Sequence, residues 1–246
     1  MAESGHGGGL EHPTWLHFLY AYKILPGWLP EMVPVTWLVI LLLSVMVIIA
    51  SRKLRLRNAG RFQMALEFAV TSLDGFVRGI VGDEARTLTP IIGSVFIFIL
   101  TLSLFGLVPG FTSPTANPNT TVSLALLAFL LVQYFGISRL GPRKYVMHFV
   151  GDPWWLGGLM APLHIIGELA RPLSLSIRLF GNIFGEETVI AVFVLIVTSA
   201  LGNFLIPLQF PMQLFAIFGS FIQALVFSML VSIYIAVAVA GHEEQH

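Results

Sequence analysis

The sequence predicts an all-α, polytopic membrane protein, and three observations carry that expectation. Apolar residues fill 56% of the 246 positions and charged ones only 11%, with a mean hydropathy of +0.86. A water-soluble domain of this size needs far more charge to cover its surface. Long uncharged stretches recur, each close to the roughly 20 residues that a helix needs to cross the hydrocarbon core. The charges gather in short clusters between those stretches, as they do when loops rather than spans meet water. The expected architecture is a single membrane domain over residues 1–246, with five transmembrane helices plus one interfacial amphipathic helix. The last two spans are expected to be long and strongly tilted.

Charge and cysteine content narrow the chemistry. The 13 basic and 13 acidic residues cancel, which removes the electrostatic footprint of a nucleic-acid binder. With no cysteine in the chain, thiol catalysis, disulfides and Cys-ligated metals are excluded.

Residues 1–32 open with Gly, His and Glu and lack a basic start, so they read as an outer segment rather than a cleaved signal peptide. Trp15, Tyr20, Tyr22 and Trp28 suit a membrane interface. Val33 to Ala50 forms the first span, interrupted only by Thr36 and Ser44. It stops at Arg52, Lys53, Arg55, Arg57 and Arg61, with no acid before Glu67. The positive-inside rule puts this cluster in the cytoplasm and the N-terminus outside.

Over residues 61–80 the apolar positions Phe62, Leu66, Ala69, Leu73 and Phe76 advance by threes and fours, while Glu67, Thr71, Asp74 and Arg78 take the other side. That pattern predicts a helix lying on the cytoplasmic surface. No charge occurs in residues 87–138, and Pro109, Gly110, Pro114, Asn117 and Pro118 cut the stretch into two spans joined by an outer loop. Arg139, Arg143, Lys144 and His148 then form a second basic loop, on the same side as the first. A helix over 162–200 is too long for one perpendicular crossing and must tilt or kink, with Pro172 the natural place. After Gly202 to Pro211 the last span covers 212–240, and the tail ends inside.

The functional signal is polar and lies within these last two helices. A charge in the bilayer costs about 2.5–3.5 kcal/mol on insertion scales, so such residues face protein or water and have work there. At about 100° per residue, Glu168, Arg171, Asn182 and Glu186 fall within roughly 80° of the direction of Arg178, and Glu187 lies on the opposite side. On the last helix Gln213, Ser220 and Gln223 share a side, so the two stripes can face each other or a common partner. Arg178 stands out because a guanidinium cannot shed its proton on burial. A fixed cation in the membrane can hold, release or separate carboxylates. The other residues keep two readings each. Glu168 and Arg171 suit an ordinary salt bridge three residues apart as well as a place on an ion path. Glu187 suits a buried acid bonded to a neighbouring helix or a proton relay, Glu186 has a weaker claim to either, and Gln223 suits interhelical glue or function. Gly181 and Gly185 allow close approach by another helix. Neither a metal-ligand spacing nor a nucleotide-binding motif is present, so no cofactor is expected.

The segment Arg171-Pro-Leu-Ser-Leu-Ser-Ile-Arg178-Leu-Phe-Gly-Asn182 resembles the signature of the a subunit of bacterial F-type ATP synthase. The resemblance extends to the basic inner loop, the amphipathic second helix, Leu107-Val108-Pro109, and Ile222-Gln223-Ala224-Leu225-Val226-Phe227. It implies a non-catalytic stator component of a proton channel, with Arg178 as the essential coupling arginine. Asn182, Glu187 and Gln223 would sit around the outer proton path, and Glu168 and Arg171 towards the cytoplasm. The implied partners are a ring of c subunits, the b subunits of the peripheral stalk and the lipid bilayer, with no nucleotide or nucleic acid bound by this chain. The implied location is the bacterial plasma (inner) membrane. One departure is Ala216, where family members often place His or Glu. The outer path would then depend on Glu187, Glu186, or water held by Gln213 and Ser220.

Three other classes compete with this reading. A secondary transporter would use Arg178 to clamp a substrate carboxylate, but residues 33–138 and 162–240 show no internal repeat. An intramembrane enzyme lacks a paired Asp, Ser/His or His-metal set at membrane depth. A purely structural anchor would tolerate conservative replacement of Arg178.

Overall fold

A computed structural model describes residues 32–53, 60–82, 85–108, 113–142, 145, 157–201 and 206–240. Within them the chain forms six α-helices: α1 (Met32–Lys53), α2 (Arg61–Val81), α3 (Ala85–Phe105), α4 (Pro118–Leu140), α5 (Gly157–Leu201) and α6 (Ile206–Ala240). A 3-10 turn, Pro114–Ala116, lies before α4. The aromatic segment from Trp15 to Trp28, the residues Arg55 and Arg57, and the loop residues Arg143, Lys144 and His148 lie outside the described residues.

Four helices contain a stretch long and apolar enough to cross a membrane: Val33–Arg52, Ala85–Phe105, Pro118–Arg139 and Phe210–Ala238. The expected fifth span is α5, which does not belong to that set. Glu168, Arg171, Arg178, Glu186 and Glu187 interrupt its apolar character. Both long helices begin earlier than the sequence pattern suggests, α5 at Gly157 and α6 at Ile206. Pro162 and Pro211 therefore lie inside helices rather than at their starts. Each falls in the second turn, where a proline forfeits only one early hydrogen bond. Pro172 also lies within the continuous α5.

Local chemistry fixes the elements around the site. Asn117 caps α4 by accepting the backbone N–H of Asn119 at 2.9 Å, and Pro118 takes the first helical position, where its missing N–H costs nothing. Helix α4 ends at Gly141, whose φ of +79° suits a residue without a Cβ.

Helix α6 runs through the centre of the bundle, packed on α2, α3, α4 and α5. The core is built from Leu88, Ile92 and Ile99 of α3, Ala125, Ala128 and Val132 of α4, Leu175 and Leu179 of α5, and Ala224, Phe227, Val231 and Ile235 of α6. Alanine and serine on the facing sides of α4 and α6 let these helices approach without a hydrophobic drive from water, as membrane bundles require. Phe96 meets Phe221 edge-on at 5.8 Å between centroids. Helix α1 is peripheral, burying Val35 and Val39 but leaving Leu41 and Trp37 more than half exposed.

Helix α2 turns Val77 fully into the core and leaves Phe68, nearly opposite, 75% exposed. Asp74, on the polar side by periodicity, is partly covered. It accepts Thr89 Oγ1 of α3 at 2.8 Å and pairs with Arg78 at 2.7 Å. The nearness of α3 thus gives a partner to a carboxylate that the one-helix pattern assigns to solvent. The side chain of Phe62 lies outside the described residues.

Candidate functional site between the two longest helices

Helices α5 and α6 run antiparallel, and their polar residues meet in a constant register. Arg171 lies over the ring of Tyr234 at 5.2 Å, the Asn182 amide donates to Gln223 Oε1, and Glu186 faces Gly219. Partners advance along one helix as they retreat along the other. Space is tight at Gly219: a Cβ there would sit 3.0 Å from Glu186 Oε2, so the carboxyl would have to shift slightly to admit one. The polar stripes expected on the two helices touch directly at one pair, Asn182 and Gln223.

The polar residues of α5 separate into three groups. Glu168 and Arg171 form an ion pair near its start, and Gln133 Nε2 of α4 donates to Glu168 Oε2 at 3.2 Å. Tyr145, beyond the end of α4, donates its hydroxyl to Gln133 Oε1. Neither Gln133 nor Tyr145 was expected from sequence. Gln133 stands in an otherwise apolar span, Tyr145 in a basic loop, and each acquires its role only from partners distant in sequence.

Arg178 is the middle group and stands apart. Its neighbours Leu175, Leu179 and Ile183 turn inward, while Arg178 itself is exposed beside Ile177 and Gly181. Among the described residues its guanidinium has neither an ion-pair partner nor a hydrogen-bond acceptor. The sequence pattern put Glu168, Arg171, Asn182 and Glu186 on its side, but their side chains turn to α4 and α6 instead. A helical wheel gives the direction of Cα, and within its 80° sector long side chains choose the nearest partner. The face around Arg178 is open: a Cβ built at Gly181 or Gly185 meets nothing within 4 Å.

The third group lies towards the other end. Glu186 reaches α6, and Glu187, opposite Arg178, is directed at the backbone amide of Ser113 in the turn between α3 and α4. That turn is polar inside: Ser113 Oγ and Thr115 Oγ1 share a hydrogen bond of 2.6 Å, and both residues are buried. On α6, Gln213 is half-buried and Ala216 is fully buried. Among the described residues Ser220 Oγ, Ser103 Oγ, Ser228 Oγ and Gln223 Nε2 are buried with no hydrogen-bond partner. By the α5–α6 register these orphaned groups run from the level of Arg178 to the end of the bundle that holds Glu187. Ser176 and Thr121 tie α5 to α4 between the groups, with hydroxyls 3.3 Å apart. Among the described residues no three His, Asp or Glu side chains cluster as metal ligands would.

The ATP synthase A chain family model matches residues 33–236, which includes every residue of this seam. This chain belongs to that family. ATP synthase subunit a of Trichlorobacter lovleyi is 44% identical over 200 residues, spanning 81% of this chain and 83% of its own. The Geobacter sulfurreducens subunit a is 42% identical, with the same coverage. That of Protochlamydia amoebophila is 35% identical over 96% of this chain and 87% of its own. Family membership, together with the apolar helices, makes this a bacterial membrane protein of the ATP synthase.

Proposed function

We propose that the chain is the stator component of the proton channel of an F-type ATP synthase, providing two offset half-channels separated by Arg178. One observation carries this reading: Arg178, a cation with no partner among the described residues, lies on an open helix face between two polar clusters on either side of it along the same helix. From Glu168 to Glu187 the helix rises about 28 Å, close to the thickness of the hydrocarbon core, and Arg178 stands about midway. The cluster of Glu168, Arg171 and Gln133 shares its end with the basic Arg139 in the last turn of α4, which the positive-inside rule assigns to the cytoplasm. The cluster of Glu186, Glu187 and Gln223 shares its end with the uncharged α3–α4 turn, hence the outside. In this topology α1, α3, α4, α5 and α6 make five crossings, α2 lies at the cytoplasmic surface, the N-terminus is outside and the C-terminus inside.

The open face of α5 and α6 is where a ring of c subunits would turn, and the b subunits would hold the chain still. A proton entering from outside passes Glu187, Glu186 and the Asn182–Gln223 pair, with Gln213 and Ser220 able to hold water beside them. It neutralises a carboxylate on the ring. Only the neutral form can face hydrocarbon at low cost, so the ring turns away from the stator with its proton bound. On completing the turn the carboxyl meets Arg178, whose fixed charge favours the ionised form, and the proton leaves past Glu168 and Arg171. The same cation blocks direct passage of protons between the two paths. Each proton contributes about 2.3 kcal/mol per 100 mV of membrane potential, so several are needed per ATP. The chemistry of ATP itself belongs to other subunits.

The test is ATP-driven acidification of inverted vesicles carrying the assembled complex with Arg178→Ala or Arg178→Lys. Loss of pumping with subunit a retained is the expected result. Normal pumping in both variants would reduce Arg178 to a structural residue and end this reading.

A further inference from the structure

Tyr145 follows the last turn of α4 and comes directly after the basic pair Arg143 and Lys144, yet it is only 7% exposed. Its backbone N–H bonds to Gly141 O at 3.0 Å, which turns the chain back, and its ring lies on Gly136 of α4. A Cβ at 136 would come within 2.7 Å of Tyr145 Cε2, so the seat exists only because that position is glycine. The ring is held for the sake of its hydroxyl, which reaches Gln133 Oε1; the amide nitrogen of Gln133 in turn reaches Glu168 Oε2 at 3.2 Å. We infer that Tyr145 is a positioning residue for Glu168, acting through the side-chain amide of Gln133 to keep that carboxyl hydrogen-bonded in both of its protonation states. The inference rests on the proposed channel, in which Glu168 lies on the cytoplasmic path.

An ionised carboxylate can only accept, so beside it Gln133 must present nitrogen, and its carbonyl oxygen must then find a donor elsewhere. Tyr145 is that donor. Burial, and next the charge of Glu168, push its phenol above the ordinary range, outweighing the smaller opposite pulls of Arg171 and Gln133, so the hydroxyl keeps its proton. When Glu168 takes up a proton on its way to the cytoplasm, its new O–H is a donor. The favourable amide orientation then reverses, with oxygen towards Glu168 and nitrogen towards Tyr145, whose oxygen can accept. A phenol serves both orientations because it both donates and accepts. No proton leaves Tyr145 in either state; the hydroxyl only rotates. The proton that enters at Glu168 is the one that leaves it.

The surroundings leave no substitute for this relay among the described residues. Among the described residues the charged and titratable groups around Glu168 are Arg171 and the exposed His164 one turn away on the same helix, Tyr145 after α4, and Tyr234 on α6, which is occupied by the Arg171 guanidinium. The small cavity beside the pair is otherwise lined by apolar side chains such as Ala128, Val132 and Leu175. Without the tyrosine hydroxyl, one end of the Gln133 amide loses its partner in either state, which penalises each protonation change.

Tyr145→Phe keeps the ring on Gly136 and removes only the hydroxyl. In inverted vesicles, where the medium bathes the cytoplasmic face, the ratio of acidification to ATP hydrolysis should fall several-fold relative to wild type. Its dependence on medium pH should also shift. Gln133→Leu should reproduce the loss, and the double variant should be no worse than Gln133→Leu alone, because the hydroxyl reaches Glu168 through that amide. A wild-type ratio with an unshifted pH profile in Tyr145→Phe overturns the inference. So do losses that multiply in the double variant, which would mark Tyr145 as ordinary packing. If Gln133→Leu is itself silent, the pH profile of Tyr145→Phe decides alone. Arg178→Ala in the same vesicles separates the two readings. Normal pumping there removes the channel reading, whereas loss of pumping there with a normal Tyr145→Phe removes only this one.

Discussion

The two ends of α5 solve the same problem in opposite ways. Both bury charge in an apolar helix. At the start, Glu168 and Arg171 are closed off: each carboxylate oxygen has a donor, and the guanidinium also stacks on Tyr234. Past Arg178, Glu186 and Glu187 have spare acceptor capacity, and Ser103, Ser220 and Gln223 carry buried polar atoms with no partner among the described residues. A satisfied network is rigid and specific, while a partly satisfied one is costly unless water completes it. In the proposed channel the outer path is therefore the wetter one, and the cytoplasmic path is a chain of fixed side-chain contacts.

The largest expected effect comes from removing what lies between these regions. Arg178→Ala should abolish ATP-driven acidification while the helices stay assembled, because the side chain is exposed and touches no other described residue by ion pair or hydrogen bond. A strong loss of folded protein in that variant would show instead that the guanidinium has a structural partner.

Next comes the closed end. Arg171→Ala leaves Glu168 partly buried beside a single amide donor, and losing a charged hydrogen-bond partner costs about 1.5–3 kcal/mol. The pair is only partly covered, with side chains 29% and 18% exposed, so the lower part of that range is expected. Thermal unfolding of the detergent-solubilised complex, followed through release of this subunit, measures it. Arg171→Lys should recover part of the loss as charge, but not the flat stacking on Tyr234. Full recovery by lysine would show that the stacking contributes nothing.

Gln223→Leu tests the open end with a smaller structural effect. It removes the acceptor for Asn182, but Asn182 is exposed on the open face and can turn to other partners. It also removes Nε2, a buried donor without a partner, and thereby relieves a cost. Pumping is expected to fall further than stability. If stability falls further instead, Gln223 is interhelical glue, the structural reading that the sequence left open.

How much of this was legible in the sequence depends on where each residue's partners lie. Elements with internal signals were read well: the apolar runs of α1, α3, α4 and α6. Asn117 and Pro118 were read as loop residues, whereas they are the cap and first residue of α4. The starts of α5 and α6 were also missed, because Pro162 and Pro211 resemble boundaries but fall early enough in a helix to be tolerated. At the site, Arg178 was conspicuous as an ionised group in an apolar helix. Its isolation from the other polar residues of α5 was hidden, since they share its side of the wheel but turn to α4 and α6. Gln133 and Tyr145 carried no signal of their own. The amide joins Tyr145, 12 positions away, to Glu168, 35 positions away, and no helical period spans those intervals.

The smallest expected effect on stability is the most discriminating. Ser220 is fully buried, its Oγ has no partner, and it lies one residue from the glycine that faces Glu186. If that hydroxyl is only packing, Ser220→Ala removes an unsatisfied buried group, and stability should be unchanged or slightly raised, within about 1 kcal/mol. Pumping should then be unaffected as well. If the hydroxyl holds water on the outer path, stability still stays flat, but the acidification rate drops, because the water it bonds is lost with it. Gln133→Leu at the closed end should show the opposite ratio, losing stability because each end of its amide has a partner. Measured together, the two variants sort the ends of α5 by which quantity moves. A drop in pumping without a drop in stability at Ser220, beside a drop in both at Gln133, is the pattern that a wet outer path and a fixed inner path require.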